Sequence, residues 1–102
     1  MEVQIQIIEK DNELVVQPSN VQFPKAVGGI TNKYDLIIKN STNWNIHDFN
    51  LNFGEDNITV TTPEDIRAND TARGVIIYKS SKKLQPDLRV QVLVSMSADQ
   101  VG

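Results

Sequence analysis

The sequence predicts an all-β fold, an antiparallel β-sandwich of seven to eight strands. Three observations lead there. Apolar and polar residues alternate over several short runs, the period of a half-buried strand. Clusters of Asn, Asp, Ser, Gly and Pro punctuate those runs about every 8 to 12 residues. No stretch of useful length places apolar residues at i, i+3, i+4 and i+7. The 102 residues make one domain, 1–102, long enough to bury a core without a metal or disulfide.

Each strand can be read in order. Val3, Ile5 and Ile7 alternate with Glu2, Gln4 and Gln6. The charged run Glu9–Glu13 then reads as a loop of about five residues leading into Leu14-Val15-Val16, so the pair forms a hairpin. Pro18 and Pro24 bracket Asn20–Phe23, and proline donates nothing to a ladder, which places this piece at an edge. Val27-Gly28-Gly29-Ile30 is a flexible connection. Tyr34, Leu36 and Ile38 then fall on one face of a strand whose other face carries Asp35, Ile37 and Lys39. Asn40–Asn43 is a run of turn formers. In the return strand Trp44 and Ile46 change parity with Phe49, Leu51 and Phe53. A β-bulge at His47-Asp48 would bring all five to the core, because it inserts one residue.

Gly54–Asn57 reads as a tight turn, and Ile58–Thr62 as a β-branched strand that Pro63 stops. Glu64–Thr71 is a polar connection with Ile66 plugging the end of the sandwich. Gly74–Tyr78 is continuously apolar, as in a strand covered on both faces or lying at an interface. Lys79–Lys83 is a solvated loop. Leu88, Val90, Val92, Val94 and Met96 alternate with Arg89, Gln91, Leu93 and Ser95 in a long last strand, and 98–102 carry no pattern.

Composition narrows the function. Hydrophobic residues make up 39% and charged residues 23%, as in a folded domain, and the net charge is −3. A mildly acidic chain lacks the positive field of a nucleic-acid binder, so no nucleic-acid partner is expected. With no cysteine there is no disulfide framework, thiol catalysis or thiolate metal site. No apolar run is long enough for a membrane helix, and no membrane insertion is expected. Met1–Ile8 has no basic region followed by an apolar stretch. The expectation is therefore a chain made in soluble form inside the cell, or a domain of something larger.

The polar residues assemble no recognisable chemistry. His47 and Asp48 are neighbours in a strand and point to opposite faces, so they do not converge on a substrate, and a structural or surface role follows for His47. Glu55, Asp56, Glu64, Asp65 and Asp70 read as solvated turn acids, since their spacing fits no Ca²⁺ loop. Trp44 reads as a core residue rather than an exposed hot spot. Lys79, Lys82 and Lys83 form a short basic patch that discourages edge pairing. Asn40-Ser41-Thr42, Asn57-Ile58-Thr59 and Asn69-Asp70-Thr71 are glycosylation triplets that matter only in a secretory route. No catalytic residue, cofactor or metal is expected.

The run Leu36–Thr42, then Phe49-Asn50-Leu51, Ile58-Thr59-Val60, and Ile66 through Ala68-Asn69-Asp70 into Val75–Tyr78 resembles immunoglobulin-like modules of the major-sperm-protein type and their bacterial, archaeal and viral relatives. The resemblance covers roughly residues 21–97. It implies an immunoglobulin-like sandwich that is not an enzyme and that binds other proteins or decorates a large assembly, a virion or phage capsid decoration (cement) protein being one concrete form. No binding residue transfers from it. The residues themselves nominate a protein-interaction surface at Ile8, Val15, Ile37 and Leu93, apolar positions off the core face. The expected partner is another protein or a second copy. The competing expectation is a carbohydrate- or ligand-binding module assisted by Ca²⁺.

Overall fold

A computed structural model describes residues 1–24, 26–27, 29–80, 84–85 and 88–100. Among them there is no helix, and eleven strands follow one another: β1 (Glu2–Lys10), β2 (Glu13–Gln17), β3 (Asn20–Phe23), β4 (Ala26–Val27), β5 (Thr31–Asn40), β6 (Trp44–Asn52), β7 (Ile58–Thr61), β8 (Thr71–Lys79), β9 (Leu84–Gln85), β10 (Leu88–Gln91) and β11 (Leu93–Gln100). Five of them form one sheet in the order β2-β1-β5-β8-β7. The ladders β10–β3, β11–β6 and β4–β9 make up the rest. The stretch from Leu88 to Gln100 pairs first with β3 and then with β6, and the Val92 N–H continues the first ladder by donating to Ser19 C=O at 2.9 Å.

The large sheet is mixed, which corrects the expectation of a wholly antiparallel fold. β1 and β5 run parallel, with Val3 opposite Leu36 and Ile5 opposite Ile38. The reason lies in the route of the chain. After Gln17 it leaves the large sheet, contributes β3 to another ladder, and returns on the far side of β1 in the same direction. A parallel pair needs such a crossover, whereas a hairpin does not.

Local chemistry accounts for the other differences. The β1–β2 hairpin turns on Asp11-Asn12 alone, with φ of 53° and 65°, not on the five residues expected. Asp and Asn tolerate left-handed backbone, and a two-residue turn with both φ positive matches the strand twist. β5 begins at Thr31, and Val27, expected in a flexible connection, pairs with Leu84 of β9. Ala98–Gln100, read as patternless, pairs with Ile46, Asn45 and Trp44. Ser81, Lys82 and Lys83 of the expected loop, Gly28, and the last two residues lie outside the described residues.

The bulge forms where the parity of β6 changes. Ser95 pairs with Asn50 and Ser97 with His47, so two residues of β6 oppose Met96 alone. Asp48 carries the strain at φ 53°. As a result Ile46, Phe49, Leu51 and Phe53 are all buried, with Trp44 packed against them. Phe23 comes from the β10–β3 ladder. Its ring lies 5.4 Å from that of Tyr34, 5.6 Å from Tyr78 and 5.8 Å from Phe53, joining that ladder to the large sheet in one aromatic cluster. Burial, and secondarily the neighbouring Tyr78, pushes the Tyr34 hydroxyl above its ordinary pKa.

One glycine is fixed by contact. A Cβ on Gly74 of β8 would run into the carbonyl oxygen of Thr61, because β7 ends against β8 at that point. Gly74→Ala is expected to destabilise the domain by about 1–3 kcal/mol, the range for overpacking a close contact, with chemical denaturation as the readout.

Asn40 closes the fold at the end of β5. Its side chain is fully buried. The amide Nδ2 donates to the carbonyls of Trp44 (2.8 Å) and Arg67 (3.1 Å), while Oδ1 accepts from the Thr42 N–H (3.1 Å) and Oγ1–H (2.7 Å). Main-chain bonds run through the same spot: Asn40 N–H to Asp70 C=O, Ser41 N–H to Ile7 C=O, and Asn69 N–H to Thr42 C=O. One side chain thus ties β5, β6 and the 62–70 segment together. Asn40→Ala is expected to cost about 1–3 kcal/mol, since it removes the partners of the buried Thr42 N–H and hydroxyl and of two part-buried carbonyls. Asn40→Asp should cost more, because a carboxylate has no proton for either carbonyl. Urea unfolding of the two variants with an unchanged slope would check both.

Candidate functional site

The five-stranded sheet has one face on the core and one facing out. Alternation fixes which residues lie outside. On β1 the inner residues are Val3, Ile5 and Ile7, all buried, so Gln4, Gln6 and Ile8 lie outside. Register carries the outer face across the sheet: Val15 stands opposite Ile8, Ile37 opposite Gln4, and Arg73 opposite Ile37. Val75 and Ile77 follow two and four residues after Arg73. Each of Ile8, Val15, Ile37, Val75 and Ile77 is half-buried.

Three of the four sequence-nominated residues, Ile8, Val15 and Ile37, therefore share this face. Leu93 does not. It begins β11, which pairs with β6 outside the large sheet, and is 44% exposed, with its Cδ1 beside Gly54. Val92, its neighbour in the chain, packs on the core but is only half-buried. The continuous apolar run of β8 is not covered on both faces: Ile76 and Tyr78 are buried, while Val75 and Ile77 look outward. Reading Gly74–Tyr78 by alternation rather than as one apolar block would have found those two.

A groove of about 960 Å³ lies on this face where β2 leaves the sheet. Gln4, Gln6, Gln17, Pro18, Ile37 and Lys39 contribute to its walls. All but one of the chain's aromatic rings are buried, and Trp44 is half-buried against the core, so none lines the groove.

A second cluster sits on the other layer. His47 lies between two carboxylates, Nδ1 3.2 Å from Asp65 Oδ1 and Nε2 3.0 Å from Asp99 Oδ2. Asp65 belongs to the segment that bridges to β6 through Ile46 and Ile66, and Asp99 to β11. The imidazole thus spans the two elements that flank the start of β6. Asp48 turns away toward Ser97, whose Oγ lies 3.4 Å from Asp48 Oδ2, so the His-Asp step of the sequence makes no pair. Neutral histidine offers one N–H, and only the imidazolium donates to both carboxylates. The hydrogen bond to Asp65, opposed by some desolvation and reinforced by the charges of Asp99 and Asp65, raises the His47 pKa above its ordinary value.

Among the described residues no group of three or more His, Asp or Glu side chains could hold a metal ion. The two carboxylates at His47 approach opposite edges of the ring and do not converge on a common point. Of the glycosylation triplets, Asn40 is buried with both amide functions engaged, Asn57 donates to Lys79 C=O at 3.2 Å, and Asn69 is exposed in left-handed backbone at φ 58°. No helix of the described residues is long and apolar enough to cross a membrane.

No family model, curated protein or solved structure matches this chain. The functional reading therefore rests on the outer face and the groove.

The His47 bridge has a definite pH signature. A folded-state pKa raised above the unfolded value stabilises the fold fully below the unfolded pKa, near 6.5. That contribution is lost as pH rises through the folded value. Thermal unfolding followed from pH 5.5 to 8.5 should show stability declining across neutrality. Asp65→Asn with Asp99→Asn should flatten the decline, and an unchanged profile in that double variant would remove the bridge as its cause.

Proposed function

We propose that the chain is a non-catalytic, immunoglobulin-like β-sandwich module that docks on a larger protein assembly. A virion or phage capsid decoration (cement) protein is the concrete form that the sequence resemblance supports. The observation that carries the reading is the outer face of the large sheet. Ile8, Val15, Ile37, Val75 and Ile77 all lie there, each half-buried. Apolar side chains set among polar ones on an open sheet face are suited to contact with another protein. The nearby edge adds main-chain groups that can pair with an incoming strand.

The carbohydrate-binding reading has less support. Sugar recognition draws on exposed rings, and the aromatic cluster of Phe23, Tyr34, Phe53 and Tyr78 is turned into the core. The acids of the turns also form no cation site among the described residues.

Two adjacent substitutions on β5 separate docking from folding. Ile37→Glu, on the outer face, is expected to keep the melting temperature within a few degrees and to reduce partner recovery in a cross-linked pull-down from source material. Ile38→Glu, fully buried in the wild type, is expected to prevent folding, because an unpaired buried charge costs several kcal/mol. If the wild-type chain cross-links to no stoichiometric protein partner, the docking reading fails.

A further inference from the structure

β1 is longer than the strand that covers its edge. β2 ends at Gln17, opposite Gln6, and the chain then turns away at Pro18 to build the β10–β3 ladder. From Ile5 back to Glu2, β1 has β5 on one side and no strand of the described residues on the other.

The ladders show which main-chain groups this leaves free. Ile7 C=O accepts from the Ser41 N–H at 3.0 Å, and Ile7 pairs with Asn40 of β5. Odd-numbered residues of β1 therefore aim their N–H and C=O at β5. Even-numbered residues aim theirs the other way, where Gln6, Ile8 and Lys10 meet β2. The outward groups of Glu2 and Gln4 remain, and both of these side chains are exposed.

We propose that the start of β1 pairs with the start of β1 in a second copy, antiparallel about a two-fold axis at Val3, so that two chains join into one continuous sheet. Register decides the occupant. Ladder bonds form only where the groups of both residues point outward, so an even-numbered residue must meet an even-numbered one. Setting Gln4 against Gln4 would bring Glu2 to Gln6, whose outward groups β2 already engages. Setting Glu2 against Glu2 would form a single pair and place like charges directly opposite. The register centred on Val3 uses both free residues of each copy: Glu2 pairs with Gln4 of the second copy, and Gln4 with its Glu2. Each β1 then fills the stretch that β2 leaves open in the other, an isologous contact.

The side chains agree with this register. Within one copy the Gln4 Nε2 donates to Glu2 Oε1 at 2.7 Å, and the same amide and carboxylate meet across the seam. Asp35 stands opposite Glu2 on β5, one strand back from the seam, and no acid of the second copy lies directly opposite either of them. β7 is the outermost strand at the far side of the large sheet. A second copy added through β7 would leave the start of one β1 open in every pair, whereas the β1 contact closes both at once. The axis stands perpendicular to the sheet, so both outer faces lie on the same side of the dimer. The inference goes beyond the docking reading, because it uses the edge of the sheet and docking uses its face. The contact spans only a few residues of each copy, at the small end of specific interfaces, so the dimer separates on dilution.

The test is the oligomeric state of the full chain, followed by sedimentation and nuclear magnetic resonance from micromolar to millimolar concentration. The proposal expects a monomer–dimer equilibrium with concentration-dependent shifts centred on Glu2–Ile5. It expects a contact between the Val3 α-protons of labelled and unlabelled copies, since residues of a non-hydrogen-bonded antiparallel pair approach most closely. Gln4→Glu sets carboxylates opposite each other twice, and should weaken the dimer at least tenfold without altering the melting temperature of the dilute chain. Adding Glu2→Gln to that variant exchanges the two groups, and should restore the wild-type dissociation constant to within threefold. A monomer at millimolar concentration, growth beyond the dimer, shifts centred on β7 or Leu93, an unaffected Gln4→Glu, or a double variant as weak as the single one would each overturn it. The cross-linked pull-down separates this failure from that of the docking reading. A monomeric chain that recovers a stoichiometric partner removes the dimer and leaves docking standing. A dimer that recovers no protein besides itself keeps the dimer and removes docking.

Discussion

A buried amide holds this fold together. Asn40 stands at the end of the central strand β5, where the chain must cross from the large sheet to the β6 ladder. Its amide answers several of the polar groups that meet there: the carbonyls of Trp44 and Arg67 through Nδ2, and the N–H and hydroxyl of Thr42 through Oδ1. Burying an amide without partners costs several kcal/mol, but a fully bonded one instead fixes geometry, because no other side chain of that size offers two donors and an acceptor in one plane. The start of β6 and the 62–70 segment take their positions from this point, and the adjacent Ser41 N–H bonds Ile7 of β1. The His47 bridge then closes the outer side of the same corner, joining Asp65 to Asp99 across β6. One corner is thus held by a neutral network inside and by charges outside, and only the outer half responds to pH.

Much of this architecture can be read from the sequence, and what cannot be read is of one kind. Alternation located the core faces of β1, β5 and β10–β11, and the change of parity at His47-Asp48 located the bulge, because both are local consequences of side chains pointing alternately up and down. The burial of Ile66 and the inward placement of Tyr34, Phe49 and Phe53 were equally legible. Pairing was not. That β1 lies parallel to β5, that β2 stops short of the start of β1, and that Leu88–Gln100 serves two ladders all depend on where distant segments meet. Nothing in the period of a strand encodes its neighbour. Asn40 shows the same limit at one residue. In Asn40-Ser41-Thr42 it reads as a turn former, and only the approach of Arg67 and Trp44 turns its amide into a structural tie.

The candidate surface was legible in part for the same reason. Ile8, Val15 and Ile37 could be assigned to an outer face strand by strand, but whether those faces join depends on register. The ladders bring the three together and set Leu93 outside the large sheet, in the β11–β6 ladder. Val75 and Ile77 were hidden in a run where both faces are apolar, so alternation gave no contrast. His47 was read as a structural or surface residue, but its partners, Asp65 and Asp99, lie 18 and 52 positions away in the chain.

The crossover that makes the sheet mixed also creates its unfinished edge. Had β2 run the full length of β1, every outward group of β1 would be paired. Because the chain turns away at Pro18 to build β3, Phe23 can enter the core and seal Tyr34, Phe53 and Tyr78 in one cluster. The core gains its central ring, and the sheet keeps a vacant strand position. Natural sheets blunt such edges with prolines, charges and short strands, and this chain supplies all three at the neighbouring hairpin: Pro18, the Lys10 and Glu13 pair, and a β2 of only five residues. None of these blocks Gln4 itself. The flank of this edge is guarded while the start of β1 stays open, so the same turn at Pro18 that completes the core leaves the sheet one strand short on that side.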